Sequence, residues 1–120
     1  MTSLNTFGAI MTFAIELEAQ LEQYYQTAGD GTRAAEAAKR RANLERVRRE
    51  NITEIKLEPI EGLDESSYRF PLDDTSAGGK RRVEMIAAQF YADVAPKINV
   101  REAQRALERC ARQHGELASV

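Results

Sequence analysis

"EAQLEQYY" (residues 18–25) and "EMIAAQFY" (84–91) both open on glutamate and close, seven places later, on a tyrosine preceded by another aromatic ring. A second pair of words, "LERVRREN" (44–51) and "LERCARQH" (107–114), shares Leu, Glu and two Arg. They alternate along the chain, one glutamate–tyrosine word and then one LER word in each half. The halves are offset by 63 residues for one pair (44 to 107) and 66 for the other (18 to 84). Two copies of one helical hairpin account for that order.

The flanking residues set the helices. Ser3 offers a cap, and Phe7, Ile10, Met11, Ala14, Leu17, Leu21, Tyr24, Tyr25 and Ala28 recur at helical spacing until "AGDG" (28–31), which predicts a first helix over 3–28. Phe13 and Ile15 widen its apolar surface beyond one stripe. A surface that wide needs cover from two sides, so a homodimer or larger assembly through this helix is expected. Thr32 offers the next cap, and the Ala, Glu and Arg of "RAAEAAKRRANLERVRREN" (33–51) favour a second helix over 32–56, stopping before Pro59. The β-branched residues of "NITEIKL" (51–57) also suit a short strand.

Residues 57–79, punctuated by Pro and Gly, show no helical period and read as a crossover. A third helix over 80–95 carries Val83, Ile86, Ala87, Phe90, Tyr91 and Val94. A fourth over 99–117 starts from Asn99, with Glu102 completing a capping box, and aligns Val100, Ala103, Leu107, Cys110, His114 and Leu117 on one seam. Short links make each helix pair an antiparallel hairpin. About twenty extended residues are long enough to return along the bundle and leave the second and third helices parallel. The expected fold is one all-α domain, 1–120, a four-helix bundle of two hairpins joined by a long crossover.

Composition narrows the function classes. The chain has 17 Lys and Arg against 19 Asp and Glu, and acids interleave with Arg40, Arg41, Arg46, Arg48 and Arg49, so no basic domain for nucleic acid is expected. The apolar start contains Asn5, Glu16 and Glu18 and lacks a basic lead, unlike a signal peptide. No uncharged apolar run is long enough to cross a membrane. A cytoplasmic location is the expectation, and the single Cys110 agrees with a reducing compartment. On the inner seam Cys110 reads as a small buried hydrophobe. "SAGGK" (76–80) lacks the rest of a phosphate loop and reads as a flexible helix entry.

The order Glu18 with Tyr25, Glu45, crossover, Glu84 with Tyr91, Glu108 resembles the rubrerythrin and ferritin-like di-iron superfamily. In that family two helices each give a Glu and the other two each give Glu-x-x-His, which together hold two irons inside the bundle. The resemblance implies Glu18, Glu45, Glu84 and Glu108 as metal-ligand carboxylates, with Tyr25 and Tyr91 as phenols packed nearby. The histidines do not carry over: position 48 is Arg and position 111 is Ala. Arginine has no lone pair for a metal. Three resolutions stay open: Arg48 takes the place of one metal charge and pairs with Glu18 or Glu45, some of the four glutamates turn outward, or a hard ion such as Mn, Mg or Ca binds through carboxylates alone. His114, six residues beyond Glu108, reads as a partly exposed helix-end residue. Glu45 with Arg49 reads as a surface pair one turn apart.

Three functions follow. The first is a divergent bundle without an intact di-iron centre, acting as a binding or structural module. The second is a carboxylate-bridged metalloprotein of oxidase or peroxidase type, holding iron or manganese. The third is a helical adaptor that binds a protein partner through the crossover, where Tyr68, Phe70 and Leu72 look exposed.

Overall fold

The computed structural model describes residues 4, 6–51 and 62–119. Among them the chain forms four long helices, α1 (Phe7–Thr27), α2 (Gly31–Glu50), α3 (Ala77–Val94) and α4 (Arg101–Ala118), with single 3-10 turns at Glu65–Tyr68 and Ala95–Lys97. The all-helical expectation and the four-helix count hold among the described residues. The second-helix tail and the strand alternative over 52–57 lie outside them.

The caps fall on neighbours of the expected residues. Thr6 rather than Ser3 caps α1, its Oγ1 accepting from the Ala9 amide at 3.0 Å. Asp30 rather than Thr32 caps α2, accepting from the Arg33 amide at 3.1 Å. A carboxylate there also meets the positive end of the helix dipole. Ser76 caps α3, so this helix starts a few residues earlier than expected and absorbs both glycines of "SAGGK". Gly79 is required there, because a Cβ would sit 2.1 Å from the Asp74 carbonyl oxygen. The Asn99–Glu102 capping box does not form: Val100 occupies the cap position without a side-chain bond. Glu102 instead accepts from Asn51 Nδ2 at 2.8 Å and lies 3.7 Å from Arg46. A partner on α2 has drawn the carboxylate away from its own helix end.

Side-chain pairs give the helix directions. Tyr25 meets Arg33 and Glu18 meets Arg40, so α1 and α2 are antiparallel. Glu84 meets His114 and Gln104 meets the Ala95 carbonyl, so α3 and α4 are antiparallel too. Across the bundle Tyr25 with Glu84 and Tyr91 with Glu18 make α1 antiparallel to α3. Arg40 with Gln113 and Asn51 with Glu102 do the same for α2 and α4. It follows that α2 and α3 run the same way, so the end of α2 and the start of α3 lie at opposite ends of the bundle.

Tyr68 shows how the connection between α2 and α3 is fastened. It is buried against Phe13 and Phe90, with ring centroids 6.3 and 5.2 Å away, and its hydroxyl donates to Asp93 at 2.5 Å. The connection thus covers the part of α1 that carries Phe13. Ile10, Met11, Leu17, Leu21, Leu44, Val47, Val83, Phe90 and Leu107 fill one continuous core. No described helix is long and apolar enough to cross a membrane.

Candidate functional site

At mid-bundle the apolar core is interrupted by six side chains. Glu18 and Glu84 are fully buried, each pointing inward from its helix. Both belong to the apolar stripe by position: Glu18 lies one turn from Ala14 and Leu21, and Glu84 beside Val83 and Ala87. The two tyrosines cross over between them. Tyr25 Oη donates to Glu84 Oε1 at 2.5 Å, and Tyr91 Oη donates to Glu18 Oε2 at 2.6 Å. The repeated glutamate–tyrosine words are therefore the two halves of one reciprocal exchange.

His114 lies between the carboxylates. Its Nδ1 is 2.5 Å from Glu84 Oε2, its Nε2 is 2.8 Å from Glu18 Oε2, and its ring stacks on Tyr91 with centroids 5.5 Å apart. A carboxylate oxygen offers no hydrogen, so an imidazole facing one on each side donates from both nitrogens and is an imidazolium. Burial opposes that charge, but hydrogen bonds to Glu18 and Glu84, and their charges, outweigh it and hold the His114 pKa above its ordinary value. Arg40, 6% exposed, completes the group, its Nε donating to Glu18 Oε1 at 2.9 Å. Burial pushes the Glu18 pKa up, but His114, then Arg40 and Tyr91, outweigh it, and the net shift is downward. Tyr91 goes the other way, raised well above its ordinary value by burial and by the Glu18 charge. It stays a neutral donor.

Two carboxylates, one imidazolium and one guanidinium sum to zero. Neutrality and a partner for each carboxylate oxygen make this burial tolerable, since an unpaired interior charge costs several kcal/mol. The network can hold protons at fixed positions and bind all four helices together. The imidazole lies between the carboxylates, so the three side chains do not converge on a common point. Among the described residues no cluster of three or more His, Cys, Asp or Glu side chains is arranged to hold a metal ion.

The expected carboxylate quartet is therefore not assembled. Glu18 and Glu84 come together, but Glu45 and Glu108 are exposed. In the LER words the inward positions are Leu44 and Val47 on α2 and Leu107 and Cys110 on α4, which turns the intervening glutamates to solvent. Glu45 pairs with Arg41 at 3.6 Å rather than with Arg49. Arg48 does not reach Glu18 either; it is half-buried on the outer side of α1, beside Thr12, Ile15 and Glu16. Arg40 holds that place. His114, expected near the surface, is completely buried. Cys110 is buried as expected, and its surroundings push the thiol pKa up to about 12. Of the crossover residues, Tyr68 is buried, Phe70 half-buried and Leu72 exposed.

Arg40 and His114 left a signal in the sequence. Gly29, with φ 77°, sits at the first hairpin turn, a conformation that favours glycine. Eleven residues before it is Glu18 and eleven after it is Arg40. The second hairpin turns near Asn99; fifteen residues before it is Glu84 and fifteen after it is His114. In an antiparallel hairpin, equal steps from the turn reach the same level. No family model matches the chain, nor does any curated protein or solved structure.

Proposed function

We propose that the chain is a divergent ferritin-like bundle in which a side-chain charge network takes the interior position of a di-iron centre, and that it acts as a binding or structural module. The observation that carries this reading is His114 held between Glu18 and Glu84, with Arg40 on the far oxygen of Glu18. The up-down-down-up helix order and the reciprocal glutamate–tyrosine pairs support the ferritin-like part. The donor set supports the rest. A di-iron centre of this type takes four Glu and two His. Here the interior offers two Glu and one His, and the remaining partner is a guanidinium. An imidazolium and a guanidinium have no lone pair to give a metal. These residues do not fit a di-iron centre, so no oxidase or peroxidase step is derived through one.

Metal analysis tests this directly. Protein expressed with added iron and manganese and purified without chelator is expected to carry far less than one metal atom per chain. About two tightly held atoms per chain, the di-iron stoichiometry, would refute it.

A further inference from the structure

The α2–α4 face carries a groove that the charge network touches only through Arg40. Two cavities of about 400 and 410 Å³ share Asn43, Ala106 and Arg109, so they form one trough between the antiparallel helices. Lys39 on α2 and Arg105 and Arg109 on α4 line it, the two arginines one turn apart. Among the described residues these three cations form no ion pair, in contrast to Arg46, which holds Glu50 at 2.9 Å. Although the whole chain has a formal charge of −2, this trough has a local excess of cations.

Its floor is also prepared. Arg40 lines the first cavity while 94% of it is buried, being 6% exposed. Its Nε is committed to Glu18 and its Nη1 to Gln113 Oε1 at 3.3 Å, but its buried Nη2 has no partner. A guanidinium donor left without an acceptor carries the desolvation cost of a charged group. Nη2 itself is sealed from solvent, so an oxyanion in the trough faces the Arg40 charge without reaching that donor.

We propose that this trough is a binding site for a phosphate chain, with Arg40 and Gln113 at its floor and Lys39, Arg105 and Arg109 along its walls. The volume is that of a small-molecule site. Guanidinium forks match phosphate oxygens in pairs, and arginines one helical turn apart suit an extended row of phosphates better than one isolated ion. The site is independent of whether the interior network replaces a metal centre.

The phosphate chain is either free or part of a nucleotide, and titration calorimetry on the full chain separates these sources. Tripolyphosphate and ATP are each expected to bind at least about tenfold more tightly than orthophosphate, and to weaken as salt rises. Equal affinities for tripolyphosphate and ATP assign the site to the phosphates alone; tighter ATP binding adds a contact to the nucleoside. Arg105→Ala/Arg109→Ala removes only exposed side chains, so it is expected to keep its thermal midpoint and lose about tenfold or more in affinity for both ligands. The proposal is overturned if neither ligand binds with a Kd below about 1 mM in low salt, or if the double variant binds like the parent. Tighter binding of an oligoglutamate peptide than of tripolyphosphate also overturns it, in favour of a protein partner.

Discussion

The two hairpins use the same glutamate–tyrosine word and neutralise it differently. In the first, Glu18 accepts from Tyr91, His114 and Arg40; in the second, Glu84 accepts from Tyr25 and His114 only. The LER words keep their register, Leu44 matching Leu107 and Val47 matching Cys110, all buried. The cations do not. The position equivalent to Arg40, sixty-three residues on, is Ala103, and the one equivalent to His114 is Asn51 (114 less 63). Each half supplies one cation, from opposite ends of the repeat. The carboxylates kept their symmetry because each is tied to the tyrosine of the other half, whereas a compensating charge needs only to reach the same level of the bundle.

That asymmetry ranks the effects of substitution. His114→Leu leaves both carboxylates short of a donor and is expected to cost about 3–5 kcal/mol in urea unfolding, the largest effect among these side chains. Arg40→Leu removes one partner of Glu18, which keeps His114 and Tyr91, so a loss of about 1.5–3 kcal/mol is expected by the same measurement. A cost equal to that of His114→Leu would show that the two cations are equivalent and break the comparison.

The pH dependence sharpens it. The raised His114 pKa means that its contribution is full below its ordinary value of 6.5 and is lost as pH rises through the folded value. For Glu18 the lowered pKa reverses the sign: its contribution is present above 4.5 and is lost as pH falls through the folded value. Thermal midpoints measured across pH are therefore expected to decline on both sides of a mildly acidic plateau between 4.5 and 6.5. The alkaline decline is expected to disappear in His114→Gln and to persist in Arg40→Leu.

The tyrosines give a smaller contrast. Tyr25→Phe leaves Glu84 with His114 alone, whereas Tyr91→Phe leaves Glu18 with two donors. Each is expected to cost about 1–2 kcal/mol, with Tyr25→Phe the larger in parallel urea titrations. Smallest are Glu45→Ala and Glu108→Ala, each expected within about 0.5 kcal/mol of the parent, because both side chains are solvated. A loss of several kcal/mol at either would return those glutamates to the site.

Helix existence was legible because periodic apolar residues report a buried stripe directly, as at Ile10, Leu17 and Leu21 of α1. Caps were less so. Thr6 and Asp30 won over Ser3 and Thr32, and Ser76 starts α3 ahead of the expected residue 80, since several side chains near a helix start can cap it and local geometry selects one. The site was half legible. All four glutamates were expected inside through their place in a family pattern; Glu18 and Glu84 also lie on the apolar stripes of their helices, whereas the facing of α2 and α4 turns Glu45 and Glu108 outward. His114 sat on the inner seam of α4 in the sequence and still read as a helix end, because its two partners lie on other helices.

The amino-acid sequence by itself determined two helical hairpins, their turns at Gly29 and near Asn99, and the inward stripes that carry Glu18 and Glu84, because periodicity and turn chemistry act between residues close along the chain. Only the tertiary structure decided which charges meet. Glu18 and Glu84 are sixty-six residues apart (18 to 84), and whether each faces a metal, a tyrosine or an imidazolium depends on the level at which four separate helices bring their side chains together. That level follows from the packing of the whole bundle, and it is where the requirement for zero net buried charge is met.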